Sequence, residues 1–191
     1  MKSKKCLFLG YDTKKTSLIK FLRVKKISVV ENRNKILNYK TARKFDFLIS
    51  FGYRKIISKK LIQKLKRPII NLHISYLPYN RGAHPNFWSF INKTPKGVSI
   101  HEIDKGIDTG RVLFRKKITF FISKKTTFRT TYKILIREIE IMFKKNYKSI
   151  IEGKYKGNKQ LIRTKLNKKK DLPRRINWDT SISDFISFYK S

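Results

Sequence analysis

Short apolar runs alternate with segments of helical periodicity along the first part of the chain. Runs that suit buried strands lie at 6–9, 27–30, 45–50 and 68–72. Between them, apolar positions recur every three or four residues, as at Leu18, Ile19 and Leu22, which predicts amphipathic helices. Strands that alternate with helices are typical of parallel βαβ units. We therefore expect an α/β fold with a Rossmann-like, mostly parallel sheet and helices on both faces.

Polar side chains that can cap helices precede two of the predicted helices. Asp12 or Thr13 is expected to cap the first, and Ser58 is expected to cap the helix that follows it. Only 70 residues precede Asn71, which is short for the first half of such a fold. We therefore expect one helix or strand of this half to be reduced or missing.

The pattern changes beyond residue 71. A loop at 77–82 is followed by a predicted helix at 85–92, by strands at 97–103 and 111–122, and by a long helix with an apolar stripe from Phe128 to Met142. After Gly153 the chain is polar and basic until a last amphipathic segment, with apolar positions at Ile182, Phe185, Ile186 and Tyr189. This predicts one domain over residues 1–150 and a basic extension over 151–191 that docks on it.

Lysine dominates the charge of the chain. The formal net charge is +36, from 48 Lys and Arg against 12 Asp and Glu. Such a charge suits binding to nucleic acid, anionic membranes or acidic small molecules. The basic residues are nevertheless spread from Lys2 to Lys190 without one dominant tract. We therefore favour the interpretation that lysine replaces other polar residues over the whole surface.

The cysteine and histidine residues indicate which disulfides and metal sites the chain can form. Cys6 is the only cysteine and lies in an apolar run, so neither an internal disulfide nor a Cys-based metal site is expected. The spacing of the three histidines does not fit a zinc motif, and we predict no metal. The apolar part of the N-terminus is too short for a signal peptide, and no stretch reaches the roughly 18 apolar residues of a membrane span. These features favour a soluble protein of the reducing cytoplasm.

Side chains that can hydrogen-bond or carry protons follow the apolar run at 68–70. Asn71 and His73 are alternate residues, so on a strand they project to the same side. In open α/β sheets, ligands bind beyond the carboxyl ends of the strands, which makes this a candidate site. Asp108 stands before Thr109 and Gly110, where it is either a turn residue or a partner of His73. On these residues alone, catalytic and structural roles both remain open.

Several short motifs then occur in the order and at the spacing of a known family. They are Asn71-x-His73-x-Ser75-x-Leu77-Pro78, Arg81-Gly82, Gly97-Val98-Ser99 and Ile103-Asp104-x-Gly106-x-Asp108-Thr109-Gly110. Together they resemble the folate-dependent formyltransferases, which include glycinamide ribonucleotide transformylase, methionyl-tRNA formyltransferase and the nucleotide-sugar N-formyltransferases. The resemblance is dense over residues 45–120, and the succession of motifs is far more specific than any one of them.

The resemblance implies a set of residues for each participant in formyl transfer. Asn71, His73 and Asp108 match the family's catalytic set, which stabilises an oxyanion and guides the proton that leaves the acceptor amine. The donor, 10-formyltetrahydrofolate, is expected to contact Tyr53, Arg54, Lys55, Ile56, Ile57 and Asp104. The acceptor is expected to contact Tyr11, Asp12, Ser75, Arg81, Gly82 and His84. Arg81 could instead brace its loop, and His101, in an alternating strand, is expected to be structural.

The acceptor is harder to predict than the donor. The loop Arg81-Gly82-Ala83-His84-Pro85-x-Phe87-Trp88 resembles that of sugar-nucleotide and tRNA-acting members, and the residues after 150 are too few for the C-terminal β-barrel usual in the tRNA enzymes. The amino group of a nucleotide-linked amino-deoxy-sugar is therefore our first interpretation, glycinamide ribonucleotide the second and initiator tRNA the third. A basic nucleic-acid-binding module without catalysis is the alternative from another class, and a homodimer is left open.

Overall fold

A six-stranded sheet forms the centre of the computed structural model, which describes residues 3–161, 164–173 and 176–188. The strands are β1 (Lys5–Gly10), β2 (Ser28–Asn32), β3 (Phe47–Phe51), β4 (Ile70–His73), β5 (Gly97–Glu102) and β6 (Val112–Lys117). Their order across the sheet is β2-β1-β3-β4-β5-β6. Strands β1 to β4 pair in parallel, whereas β5 and β6 are antiparallel to their neighbours. The prediction of an α/β fold with a mostly parallel sheet is confirmed.

Alternation along β1 shows why both faces of the sheet carry helices. The helices are α1 (Leu18–Val24), α2 (Tyr39–Ala42), α3 (Lys59–Lys64), α4 (Pro85–Ile91), α5 (Phe128–Glu152) and α6 (Ile182–Phe188). Cys6 and Phe8 belong to a core that includes residues of α1 and α5, whereas Leu7 and Leu9 pack with residues of α2 and α3. Each fully buried side chain of this kind contributes about 1.5–3 kcal/mol, so the alternating pattern fixes the strand between the two helical layers.

One detail of the first half differs from the prediction, and a second shows which element is shortened. Helix α1 begins at Leu18 with Ser17 at its N-cap, so neither Asp12 nor Thr13 caps it. Instead, Asp12 Oδ1 accepts hydrogen bonds from the backbone N–H groups of Lys14 and Lys15 and closes a separate turn. A short polar side chain often satisfies its own loop in this way before a helix starts. The reduced element is α2, which is a single turn of four residues.

The segment that follows α5 turns back along the sheet edge and the loops. Helix α5 ends at Glu152, and its C-cap residue Gly153 has a φ of 72°, the left-handed conformation that glycine adopts readily. Asn158 then exchanges two backbone hydrogen bonds with Val112 on β6, each 2.9 Å long. Helix α6 packs its Ile182 and Phe185 with residues of α4 and the start of α5. Tyr189, which we predicted to continue this apolar face, lies outside the described residues.

Within the described ranges, no helix is long and apolar enough to cross a membrane. The same part of the chain contains no group of three or more His, Cys, Asp or Glu side chains arranged to hold a metal ion. Cys6 is free and buried, and burial raises the pKa of its thiol far above the ordinary value.

Candidate active site

A cavity of about 850 Å³ lies at the carboxyl ends of β1, β3 and β4. Tyr11 follows β1, residues 52–57 follow β3, and His73 ends β4, so three parallel strands deliver side chains to one place. Further lining comes from the loops at 82–87 and 103–108, from α5 and from residues 166–169. The site therefore lies where the topology of an open α/β sheet places ligands.

Four polar side chains meet on one wall of this cavity: Asn71, His73, His101 and Asp108. Asn71 and His101 are cross-strand partners in the β4–β5 register, and Asn71 Nδ2 lies 3.0 Å from His101 Nε2. Asp108 Oδ1 lies 3.4 Å from Asn71 Nδ2, and its Oδ2 lies 3.7 Å from His73 Nε2. The sequence motifs predicted three of these residues, and the antiparallel strand adds the fourth.

Most polar atoms of this cluster already have hydrogen-bond partners within the protein, and one nitrogen does not. His101 Nδ1 lies 2.8 Å from the carbonyl oxygen of Glu102, which can only accept, so Nδ1 carries the proton and Nε2 accepts from Asn71. Both hydrogens of Asn71 Nδ2 thus face acceptors within the protein, and the 3.4 Å contact to Asp108 is the weaker of the two. His73 Nε2, in contrast, is buried and has no hydrogen-bond partner. His73 Nε2 is therefore the group of this cluster most ready to meet a ligand.

Electrostatics hold His73 and Asp108 in different charge states. Burial lowers the pKa of His73, with a smaller contribution from His101, while Asp108 and a hydrogen bond to the Asn80 backbone oppose that shift. Burial alone would raise the pKa of Asp108, but the neighbouring His73 and His101 and the Gly82 N–H hold it well below its usual range. The arrangement pairs an imidazole that resists protonation with a carboxylate that stays ionised.

The backbone around Asp108 is fixed from two sides. Asp108 has a φ of 52°, in the left-handed region that Asp and Asn enter more often than other non-glycine residues. Gly82 N donates to Asp108 Oδ2 at 2.8 Å. The amide nitrogen of Gln160 donates to the carbonyl oxygens of Asp108 and Gly110, at 3.0 and 2.8 Å. These bonds define the direction of the carboxylate relative to His73.

The residues predicted to bind the donor line one part of the cavity, and their chemistry suits a flat heteroaromatic ligand. They are Tyr53, Arg54, Lys55, Ile56, Ile57 and Asp104. Ile57 also packs in the core beneath the loop, with Ile103 nearby in the same cluster. Tyr53 is anchored by a 2.8 Å hydrogen bond from its hydroxyl to the carbonyl oxygen of Lys35. Asp104 Oδ1 accepts from Gly106 N and Thr109 Oγ1, and so shapes the turn that leads to Asp108.

The predicted acceptor residues divide into two groups. Tyr11, Gly82 and His84 line the cavity, whereas Asp12, Ser75 and Arg81 lie outside its lining. Binding of the acceptor by these six residues stays a prediction. Asp12 pairs with Arg33 at 3.1 Å in addition to closing its turn. Ser75 is buried and donates to the carbonyl oxygen of Tyr79 at 2.5 Å.

Arg81 makes contacts of the bracing kind that the sequence had left open as one of its two roles. Its Nη2 donates to the carbonyl oxygen of Thr164, and its own carbonyl oxygen accepts from Asn167 N at 2.9 Å. These two contacts tie the loop at 78–83 to the segment beyond residue 160. Motif matching alone does not reveal this contact, because Thr164 lies 83 residues further along the chain.

Sequence reasoning missed three contributors to the site: His101, Gln160 and the segment 166–169. His101 could be placed only by knowing that β5 runs antiparallel to β4, and an alternating strand does not show its partner. Gln160 and the segment 166–169 lie in the basic extension, where no apolar periodicity marks a path across the molecule. They reach the site through contacts with residues that are about fifty or more positions away in the sequence, as Gln160 does with Asp108.

Comparison with known proteins connects this geometry to one chemistry. A family model described as formyl transferase matches residues 3–145. The bifunctional polymyxin resistance protein ArnA of Wigglesworthia glossinidia brevipalpis is 35% identical over 124 residues, which cover 64% of this chain and 19% of that protein. The methionyl-tRNA formyltransferase of Clostridium tetani is 30% identical over 151 residues, which cover 76% of this chain and 47% of that enzyme. The chain thus spans less than half the length of these curated relatives.

Among solved structures, the formyltransferase PseJ from Anoxybacillus kamchatkensis superposes with a TM-score of 0.84 and 39% sequence identity. The match covers 94% of this chain and 96% of that one. PseJ was solved in complex with UDP-4,6-dideoxy-4-formamido-L-AltNAc and tetrahydrofolate. The similarity to PseJ includes residues after 145, because the matched fraction of this chain is larger than the segment 3–145.

Proposed function

The chain belongs to the formyltransferase family, and from that premise we propose that it transfers a formyl group from 10-formyltetrahydrofolate to the amino group of a nucleotide-linked amino-deoxy-sugar. The observation that carries the proposal is His73 Nε2, which is buried without a partner at the cavity wall and lies 3.7 Å from the ionised carboxylate of Asp108. Formyl transfer requires such a pair, because an oxyanion forms and an amine loses a proton.

The donor fits the described residues. The loop after β3 offers the apolar surface of Ile57 and the anchored ring of Tyr53, and the orphaned His73 nitrogen faces the same cavity. Bound there, 10-formyltetrahydrofolate supplies the formyl carbon that the acceptor amine attacks. Tyr53, Arg54, Lys55, Ile56, Ile57 and Asp104 are the residues proposed to hold it.

We assign the chemical steps to the chain's own groups as follows. His73 Nε2, which no protein group occupies, takes up the proton that leaves the acceptor amine and, once protonated, donates a hydrogen bond to the formyl oxygen. Asn71 joins it by giving up its long contact with Asp108, while its shorter bond to His101 is kept. Asp108 stays ionised because of its low pKa and so stabilises the positive charge that builds up on His73. The proton then passes to the folate nitrogen as the bond between that nitrogen and the formyl carbon breaks.

The acceptor class rests on the similarity to PseJ, which extends over nearly the whole of both chains. Of the residues that the sequence predicted for the acceptor, Tyr11, Gly82 and His84 line this cavity and are proposed to contact it. Methionyl-tRNA and glycinamide ribonucleotide are the alternative acceptors. We also propose that residues 1–150 form the catalytic domain with 151–191 docked on it, and that the protein works in the cytoplasm, where the thiol of Cys6 stays reduced.

The test is incubation of the purified protein with 10-formyltetrahydrofolate and a panel of amino-sugar nucleotides, glycinamide ribonucleotide and methionyl-tRNA. Products are followed by mass spectrometry, with identical mixtures lacking protein as the control. We expect a nucleotide-sugar product heavier by one formyl group. A product formed only from methionyl-tRNA or only from glycinamide ribonucleotide would replace the proposed acceptor. The absence of any formylated product would reject the activity.

A further inference from the structure

The segment Leu166–Lys169 of the extension forms part of the cavity wall, although it lies beyond the residues that the family model matches. Its main chain is fixed against the loop at 81–83: Ala83 N donates to the carbonyl oxygen of Asn167 at 3.0 Å, and Asn167 N donates to that of Arg81 at 2.9 Å. A side chain at Gly82 would come within 2.4 Å of the Asn167 oxygen. The close approach of two backbones therefore sets where the segment meets the cavity.

Asn167 has an unused hydrogen-bond donor at this wall. The residue is 9% exposed and lines the cavity, and its Nδ2 is buried without a hydrogen-bond partner. A buried amide N–H without an acceptor reduces stability unless a ligand satisfies it. The backbone bonds of Asn167 hold its Cα in place, so the side chain cannot easily move away to solvent.

The electrostatic character of the cavity favours an anion. Its described lining residues carry six cationic side chains against two carboxylates: Arg54, Lys55, Lys59, Lys105, Lys168 and Lys169 against Asp104 and Asp108. Both carboxylates are already engaged, Asp104 by its own turn and Asp108 by Gly82 and the histidines. The excess of positive charge thus remains available to a ligand.

His84 lies where charges of the extension and of the donor loop meet. Burial lowers the pKa of His84, and the nearby cations Lys169 and Arg54 lower it further. His84 is therefore neutral at pH 7 and can donate or accept a hydrogen bond, while Lys169 supplies charge. Neutral donors beside lysines are a common way to hold phosphate groups.

From this geometry we infer that Asn167, Lys168 and Lys169 form, with His84, the subsite for the diphosphate of the acceptor. The inference rests on the proposed function, because it names where the nucleotide part of the proposed acceptor binds. The extension contributes its backbone to the loop at 81–83 and its side chains to the diphosphate. The other anionic group that could reach these cations is the glutamate carboxylate of the folate, because lysine side chains bind carboxylates as well as phosphates.

The experiment compares ligand affinities of the full-length protein by calorimetry. The probes are UDP, GDP and uridine for the acceptor, and tetrahydrofolate for the donor. The variants are K168Q/K169Q and Asn167→Asp, which places a negative charge at the unused donor with little change in shape. Lys170→Gln is the matched control, because Lys170 is the exposed neighbour outside the cavity lining.

We expect wild-type protein to bind a nucleoside diphosphate much more tightly than uridine. K168Q/K169Q and Asn167→Asp should each weaken that binding by about tenfold or more, which is the loss expected for charge-assisted contacts. Tetrahydrofolate affinity should stay unchanged in both variants, and Lys170→Gln should match wild type in every measurement.

Three results would overturn the inference: unchanged diphosphate affinity in both variants, loss of tetrahydrofolate affinity with diphosphate affinity retained, and wild-type protein that prefers uridine. The second result would assign the cations to the folate glutamate. These binding measurements do not depend on turnover, so failure of the inference is distinguishable from failure of the proposed function. Weakened diphosphate binding without any formylated product would retain the subsite and reject the reaction.

Discussion

Asn71 depends on His101 for its orientation. The imidazole of His101 is 1% exposed, its Nδ1 proton is committed to the Glu102 carbonyl oxygen, and its Nε2 accepts from Asn71 at 3.0 Å. This makes His101 a positioning residue for the proposed reaction. The motifs located Asn71, His73 and Asp108 in the chain, but the support from His101 arises from antiparallel pairing that has no local sequence signal.

We predict that His101→Phe lowers kcat about 10- to 100-fold, because a small misorientation of a catalytic group has effects of that size. The acceptor KM and the folate affinity should change little, since His101 acts through Asn71. His101→Gln, which offers an acceptor oxygen near the place of Nε2, should recover part of the lost kcat. Steady-state kinetics of the two variants check this. Equal loss in both, or a change confined to KM, would remove the positioning role.

The lowered pKa of His73 also predicts a dependence of stability on pH. In the unfolded chain His73 takes up a proton near its ordinary pKa of 6.5, whereas in the folded protein it does so only at lower pH. The unfolded state therefore binds more protons below that value, and stability falls as the pH falls, by at most about 1.4 kcal/mol per pH unit. Above it, the contribution of His73 is fully present.

Denaturant unfolding of wild type and of His73→Gln at pH 7 and pH 5 measures this effect. We expect wild type to lose more stability between the two values than the variant. His84, whose pKa is also lowered, is present in both proteins, so its contribution cancels in the comparison. Equal losses in the two proteins would show that the folded state protonates His73 as readily as the unfolded chain.

At the scale of elements, the periodicity of the sequence predicted the strands and helices that contain the site and the parallel pairing of the first four strands. It did not predict the antiparallel pairing of β5. The runs at 45–50 and 68–72 became β3 and β4, and Ser58 caps α3 as expected. The antiparallel direction of β5 and the return of the extension over the loops rest on long-range contacts. Apolar periodicity reports burial along one element and carries no information about its partner.

The loop after β3 is proposed to bind the folate, and a substitution in it tests this. Ile57→Asp should abolish the rise in melting temperature that tetrahydrofolate causes, because it places a charge among the apolar groups of the proposed donor site. The half-exposed Ile134 on α5, outside the cavity lining, gives the matched control Ile134→Asp. Thermal unfolding with and without ligand measures both. A full ligand-induced shift in Ile57→Asp would place the donor elsewhere, provided that the variant alone unfolds cooperatively.

At the scale of the whole molecule, the net charge of +36 is larger than the proposed reaction on small substrates requires. Acidic side chains are used in local pairs, such as Glu102 with Arg111 at 2.7 Å and Asp179 with Arg129 at 2.6 Å. Most of the positive charge therefore faces solvent, where salt screens it within about 8–10 Å. The composition predicted this excess of positive charge but not where it acts. Part of it, from Lys169 and Arg54, lies in the cavity near His84.

Random duplex DNA distinguishes surface charge from a nucleic-acid-binding function. We predict binding at low ionic strength that weakens steeply towards about 0.15 M salt, as non-specific phosphate contacts do. Excess DNA at that salt concentration should leave the rate of formyl transfer unchanged. Electrophoretic mobility shifts and activity assays over a salt series measure this. Tight binding that persists at physiological salt, in a protein without folate binding, would favour the alternative module.

The central claim is that His73, with Asn71 and Asp108, performs formyl transfer in this cavity. The most direct measurement is the turnover rate of His73→Ala beside wild type, with the folate affinity of each determined in parallel. We predict a loss of about 10²–10³ in kcat, the usual effect of removing a preorganised oxyanion donor. Folate affinity should change modestly, and adding Asn71→Ala and Asp108→Asn should cost little more, because residues that act as a unit are non-additive. A His73→Ala protein that transfers formyl groups at the wild-type rate would contradict the account.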